Sequence, residues 1–558
     1  MVGTKARNDT VDTRRPRSRS LPAFCRRVAL AGLMAGVAVA TGTTGAQLPA
    51  LRAPGSEAGL PSSQEVAAVR RHISQAWAPL TRTIAGLERA LPDPKFPSAG
   101  DLAWPLYVAR SEDRAGVDRL LTSALGTWGR RRVDLRVLPQ APADFEQQGL
   151  LFLPHPYVVP GGRFNEMYGW DSHFIVLGLL QDGQVELARD MADNHLYQVR
   201  HYGKVLNANR TYYLTRSQPP FLSRTVLAVF DRTRDVEWLR QAVPALEAYH
   251  DFWTRGPRAL PTLGLSRYHD EGEGPAPEVV AAELDAQGLT HYDRVRAYYR
   301  AHEVADYPEA DYYDAATDSL TALFYRADRA MRESGFDPSD RFGRFGADVL
   351  KYAPVCLNSL LFAFEEDLGR IQRRLGDLES AARWTARARE RRAAIDRYLW
   401  DDQAGLYFDY NVATGRRRPY EFATTFFPLW VGAASPEQAR RVADRLSVFE
   451  APGGLLTSTR ETGQQWDAPY GWAPLQLAAV EGLRRYGYDE AADRLSCRFI
   501  ALVTKEFTEH GVILEKYDVR RRESDVSTGL RFGYASNEVG FGWTNAVYLQ
   551  LLDGLRLP

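Results

Sequence analysis

Apolar residues recur every three or four positions along most of this chain, the spacing of helices that bury one face. In "LNSLLFAFEEDLGRIQRRLG", Leu357, Leu361, Phe364, Leu368, Ile371 and Leu375 form a single stripe. Gly376 then offers a helix stop. The next pattern runs over 379–399 through Ala381, Trp384, Ala388, Ile395 and Leu399. Val66, Ile73, Trp77, Leu80, Ile84 and Leu87 predict a first helix over 63–89. Further helices are predicted over 113–128, 172–200, 222–234, 236–254, 289–303, 314–333, 421–431, 436–447, 471–486, 488–503 and 541–553. Strand-like pieces are short, such as "GLYFDY" at 405–410. Loops rich in glycine, proline and aromatics separate the helices, so the pattern reads as all-α with elaborated loops.

A chain of 558 residues ordinarily divides into several domains. No polar linker divides this one after its first 64 residues. Paired helices over such a length either stack as an open solenoid or close into a ring. A solenoid carries a regular short repeat, and none is present. A closed toroid of paired helices, with its loops gathered at one end, accounts for both the pairing and the distinctive loops. The expected organisation is a leader over 1–46, a flexible segment over 47–64 and one catalytic domain over 65–558.

The leader expectation rests on Arg26 and Arg27, followed by the apolar run Val28 to Ala40 and the small residues Thr44-Gly45-Ala46. That run falls short of the roughly 20 residues a stable membrane anchor needs. The reading at this stage is export, with a periplasmic or secreted location. Residues 1–46 hold Lys5 and seven arginines against Asp9 and Asp12, while the whole chain is formally neutral. The remainder is therefore net negative, and no basic stripe marks a nucleic-acid partner. Cys356 and Cys497 do not make a disulfide framework in so long a chain. No HExxH, CxxC or nucleotide-binding glycine loop is present, so no cofactor or metal is expected.

Chemistry concentrates in the loops. "PGGRFNEMYGWDSHF" (160–174) sets Arg163 and Asp171 beside Tyr168 and Trp170. Aromatics next to a carboxylate suit a sugar, whose ring faces are apolar and whose hydroxyls need directed hydrogen bonds. The same stretch also reads as a glycine turn leading into a helix. "NANRTYYLTRSQPPF" (207–221) offers Asn207, Arg216 and Gln218, either as ligand contacts or as turn pins. "QQWDAPYGWAPLQ" (464–476) brings Trp466, Asp467 and Trp472, and "GVILEKYDV" (511–519) brings Glu515 beside Lys516. In "RESGFDPSDRFG" (332–343), Asp337 follows Gly335 in ordinary turn chemistry. His173 and His195 read as packing or polar helix residues. Several carboxylates in aromatic loops, without a Ser/His/Asp or Cys/His set, fit glycosidic cleavage, which needs two carboxyl groups in different states.

These segments strongly resemble glycoside hydrolase family 37, the trehalases. "PGGRFNEMYGWDSHF" and "QQWDAPYGWAP" are similar to the two signatures of that family. "NRTYYLTRSQPPF", "ESGFD", "LNSLLF", "ILEKYDV" and "GFGWTN" are similar to further segments, and the resemblance covers about residues 65 to 553. It implies an (α/α)6 toroid that hydrolyses α,α-trehalose to two glucose molecules with inversion at one anomeric centre. It makes Asp337 the general acid and Glu515 the general base. It implies a sugar-binding set of Arg163, Trp170, Asp171, Asn207, Arg216, Ser217, Gln218 and Glu278, with Gly335 shaping the acid loop. Trp466, Asp467 and Trp472 belong either to that set or to loop support.

Three departures bear on specificity. Ala276 stands where the family carries an arginine before Pro277 and Glu278. Phe336 replaces a tryptophan beside the acid. The segment 520–540 lacks the usual glycine-rich lid, so Tyr534 falls near the place of a substrate-binding glutamate, with Glu538 as a shifted substitute and Arg531 as a replacement arginine. The small-carbohydrate substrate is therefore expected to be trehalose. The alternatives are another disaccharide cleaved by a related inverting glycosidase, and a non-catalytic carbohydrate-binding descendant.

Overall fold

The computed structural model describes residues 61–555, except 94, 97–102, 141–144, 146, 283, 286, 528 and 535. The leader expected over 1–46 lies outside the described residues. Twelve helices form the body: α1 (Ser63–Leu80), α2 (Gly169–Gln181), α3 (Val185–Tyr202), α4 (Leu222–Thr233), α5 (Val236–Thr254), α6 (Val355–Leu375), α7 (Leu378–Tyr398), α8 (Phe427–Val431), α9 (Pro436–Asp444), α10 (Ala473–Arg485), α11 (Asp489–His510) and α12 (Gly542–Gly554). The even-numbered helices pack each on the next, and α12 packs on α2. That last contact closes an inner ring of six, and the odd-numbered helices lie outside it. The fold is an (α/α)6 toroid.

Local chemistry sets many of the boundaries. Ser62 and Glu65 form a reciprocal capping box at the start of α1, which therefore begins inside the stretch expected to be flexible. Asp235 and Asp377 cap α5 and α7. Gly376 ends α6 in the left-handed conformation, as its position after the apolar stripe predicts. The pattern over 172–200 covers two helices, because Gly183 (φ 75°) turns the chain between α2 and α3. The first helix stops at Leu80, nine residues short of its expected end, and Thr81–Arg82 pairs with Tyr157–Val158 instead.

Inner helices are buried around most of their circumference. In α2 eleven of thirteen residues are buried, including Trp170, Asp171 and His173. A helix apolar on nearly every side belongs in the interior of a large protein. His173 stacks on Phe221 and bonds Thr225 through Nδ1, and burial first lowers its pKa to about 3. It packs as a neutral ring, as its helical setting predicts. Cys356 is buried in α6, where Arg341 Nη1 donates to its sulfur at 3.4 Å.

Periodicity did not reveal the small sheets. Trp104–Val108 (β1) lies between Val133–Val137 (β2) and Leu150–Leu151 (β3), all parallel, with the helix Arg114–Arg130 as the crossover. Tyr470–Trp472 (β4) pairs antiparallel with Lys516–Asp518 (β5), in the register Tyr470 to Asp518, Gly471 to Tyr517 and Trp472 to Lys516. This short pairing sets the second signature against the loop of Glu515.

Candidate active site

One cavity receives the chemistry-bearing loops. Asp337 and Glu515 both line it, with Arg163, Trp170, Asp171, Asn207, Arg216, Gln218, Glu278, Gly335 and Trp466. Ser217, Asp467 and Trp472 stand behind its wall.

The first two loops are stitched together beneath the cavity. Tyr168 bridges Ala208, the Gly169 amide donates to the Asn207 carbonyl, and the Trp170 amide donates to Gln218 Oε1 at 2.9 Å. A β-carbon on Gly169 would lie 2.9 Å from the Leu206 carbonyl oxygen, so glycine permits this approach. Arg216 is buried between Glu278, which accepts from its Nη2, and Asp270 at 3.7 Å. Burial without such partners would be prohibitive for a guanidinium. Ser217 sits one step back: its hydroxyl donates to the Val205 carbonyl at 2.6 Å, and its amide donates to Glu333 at 3.1 Å. Glu333 also accepts from Arg258 and from the His269 amide, making it a buried tie between loops.

The loop of Asp337 follows the helix Ala322–Glu333. Gly335 has φ 77°, and a β-carbon there would lie 3.0 Å from the Trp170 indole. Asp337 Oδ2 accepts from Arg332 Nη1 at 3.2 Å, and its side chain is 27% exposed. Its backbone carbonyl accepts from the Gln465 side-chain amide. Asp467 fastens the loop from behind, accepting from Ser339 Oγ at 3.1 Å, the Asp340 amide at 3.0 Å, Tyr420 at 2.8 Å and Thr462 at 2.7 Å. Trp472 stacks on Trp466 with centroids 3.9 Å apart and planes within 6°, so only the front ring reaches the cavity. Phe336, the departure beside the acid, is fully buried behind the wall, edge-on to Trp170 and Trp466.

Burial, and next the neighbouring Asp340, push the Asp467 carboxyl up to about 7 from an ordinary 3.8. Between those values the unfolded chain has released this proton while the native state keeps it. Stability therefore falls as pH rises across that window. Asp467→Asn is expected to flatten this decline, measured as the pH dependence of Tm from pH 4 to 7.

Glu515 is 2% exposed. Tyr534 donates its hydroxyl to Oε1, and Lys516 Nζ donates to Oε2 at 3.3 Å. Burial raises the Glu515 pKa and outweighs the opposing effects of Lys516 and Tyr534, while burial also lowers the Lys516 ammonium. Asp171 is raised well above its usual range by burial and then by Glu515. The cavity thus presents an enclosed carboxyl at Glu515 and a more accessible one, held by a cation, at Asp337.

Two departures resolve differently from their sequence reading. Glu538 does not line the cavity: it accepts from the Arg163 amide at 2.9 Å and lies 3.4 Å from the Arg163 guanidinium. Arg531 is exposed and its amide donates to the Gly463 carbonyl, so it does not enter the place left by Ala276. Arg332 enters the cavity instead, oriented by Asp328 at 3.0 Å. Sequence reading missed it, together with Tyr213, Gln465 and Trp543 among the lining residues. The signal for Arg332 was its helical position just before the acid loop.

A family model described as Trehalase matches residues 130–556. The chain belongs to the trehalase family. Among relatives, "Cytosolic neutral trehalase" of Neurospora crassa is 41% identical over 71% of this chain and 57% of its own length. The protein of that name from Saccharomyces cerevisiae is 39% identical over 71% of this chain and 56% of its own. The chain thus spans somewhat over half the length of these curated relatives. The solved "Neutral trehalase Nth1 from Saccharomyces cerevisiae" superposes with a TM-score of 0.74 at 33% identity, over 88% of this chain and 94% of that one. The relatives correct one expectation. These trehalase-family proteins are named cytosolic, which overturns the periplasmic or secreted location drawn from residues 1–46. Among the described residues no helix is long and apolar enough to cross a membrane.

Proposed function

We propose that this chain is an α,α-trehalase that hydrolyses trehalose to two glucose molecules by inverting general acid/base catalysis, with residues 65–558 acting as one catalytic domain. The observation that carries the reading is the convergence of Asp337 and Glu515, remote in sequence, on one cavity rich in arginine and aromatic side chains. Membership of the trehalase family supports the substrate, and relatives named neutral trehalase carry the same assignment.

In this reading Asp337 protonates the bridging oxygen while Glu515 takes a proton from water attacking the anomeric carbon. Inversion needs the two carboxyl groups about 6.5–9.5 Å apart, leaving room for that water. Trp170 and Trp466 offer faces to the sugar rings. Arg163, Arg216, Asn207 and Gln218 offer hydroxyl contacts, and Arg332 takes a place among them beside the acid. Gly335 lets the acid loop lie against Trp170, while Asp467, Ser217 and Trp472 support the wall.

The decisive experiment is digestion of a small disaccharide panel followed by NMR. Trehalose is expected to yield α- and β-glucose together at the outset, with the β anomer generated by inversion. Turnover of a different glucoside alone would transfer the chain to another specificity, and sugar binding without product would make it a non-catalytic descendant. The buried Ala276 is the feature that makes the panel informative, because a trehalase-family arginine is replaced there.

A further inference from the structure

Tyr534 lies between two tied stretches, 531–532 and 538–539. The Arg531 and Phe532 amides both donate to the Gly463 carbonyl, while Leu514 bridges Val539 and the Glu515 amide donates to the Glu538 carbonyl at 3.0 Å. Between these ties Tyr534 projects into the cavity, and its hydroxyl donates to Glu515 Oε1. Two cations lie over its ring: Lys516 Nζ at 3.8 Å from the centroid and the Arg163 guanidinium at 4.3 Å. Lys516 Nζ also donates to the Ser536 carbonyl at 3.1 Å, fastening the segment to the base itself. A phenol in this place has a different chemistry from a carboxylate. It donates to the base, and a glutamate would add a negative charge beside it.

We propose that Tyr534 is a positioning residue for the base, its hydroxyl fixing the Glu515 carboxylate and its ring coupling that carboxylate to Arg163. The inference rests on the reading of Glu515 as general base. The charged and titratable groups facing Glu515 are Lys516 and Tyr534, Asp171 from α2, Arg163 from the first signature, and Glu538. Tyr534 is neutral throughout the working range, since burial and then Glu515 raise its pKa well above the usual value. Its donated hydrogen bond therefore favours the ionised base at every pH where the enzyme works.

The base acts only when ionised, so the acidic limb of kcat/KM follows its pKa. Tyr534→Phe keeps the ring and removes the donor. Its limb is expected to move to higher pH by about one unit, the size of a charge-assisted hydrogen bond. The rate on that limb then falls about tenfold, with Tm close to wild type. Tyr534→Leu also removes the ring beneath Arg163, and its KM for trehalose is expected to rise about tenfold over the unaltered enzyme, the loss of a desolvated cation–π contact of about 1.4 kcal/mol. This second readout stands even if the phenylalanine variant is too unstable to titrate. An unmoved limb in a folded Tyr534→Phe enzyme, or an unchanged KM in Tyr534→Leu, overturns the proposal while leaving the function intact. No hydrolysis by the unaltered chain overturns both.

Discussion

Asp337→Asn and Glu515→Gln are each expected to retain the fold and to lower kcat on trehalose by about 10²–10⁴-fold, the usual range for a positioned acid or base. Each exchange is nearly isosteric and removes the ability to give or take the proton. Their environments give the two losses different signatures. Asp337 is partly exposed and meets Arg332 at 3.2 Å, so its amide variant keeps an acceptor for that guanidinium. Glu515 is enclosed, and its carboxylate accepts from Tyr534 and Lys516. Glutamine preserves one acceptor there but turns an amino group toward one of the two donors. Glu515→Gln is therefore expected to cost the larger share of Tm. Leaving a buried polar group unsatisfied costs about 1–3 kcal/mol. Single-turnover rates with purified variants check the assignment, and near-normal turnover in either would remove that residue from the reaction.

Gly335→Ala is expected to lower kcat by about 100-fold through geometry alone, with no reacting group touched. Two costs coincide at this position. A left-handed backbone at φ 77° is unfavourable for alanine by about 1–2 kcal/mol. The added methyl also meets the Trp170 indole at 3.0 Å, closer than carbon atoms pack. Relief requires the acid loop or the indole to shift, and Asp337 is two residues along that loop. A misplacement near 1 Å costs about 10² in rate. The measurement is kcat with Tm alongside. A large fall in Tm without loss of turnover by the folded fraction would place the strain elsewhere. The trehalase-family motif thus keeps its glycine for two separate physical reasons.

The regular part of the fold was legible because packing and periodicity agree. The stripe through Leu357, Leu361, Phe364, Leu368 and Ile371 became the buried face of α6, and Gly376 ended it. Boundaries failed where the stripe carries no information. Leu80, Ile84 and Leu87 continue the apolar spacing, yet the chain leaves the helix at Thr81 to pair with Val158. The strands β4 and β5 are three residues each, too short to show an alternation, and their existence depends on each other.

Among the candidate residues the motifs identified which loops matter, and the fold divided the labour within them. Trp466 and Trp472 are equivalent as letters in one signature, but stacking puts one at the cavity and the other behind it. Asp467 reads as a sugar ligand in sequence and as a loop fastener in its surroundings, with four donors converging on its carboxylate, two of them from the loop of Asp337. The replacement for the arginine absent at 276 was sought in the altered lid. The arginine that does reach the cavity comes from the helix before Asp337, where Asp328 one turn earlier holds Arg332 toward that carboxylate.

By itself, the sequence determined a chain of paired helices, the loops that hold its chemistry, and a resemblance long enough to name two carboxylates. These are local properties, written in spacing and in contiguous motifs. Tertiary structure alone decided that α12 meets α2, that β4 and β5 bring the second signature to the loop of Glu515, and that Tyr534 stands between Glu515, Lys516 and Arg163. Ring closure brings Arg163 to residues hundreds of positions later, and the short strand pairing gathers the nearer loops to the same cavity. There burial, charge and hydrogen bonding with distant partners fix what each side chain can do.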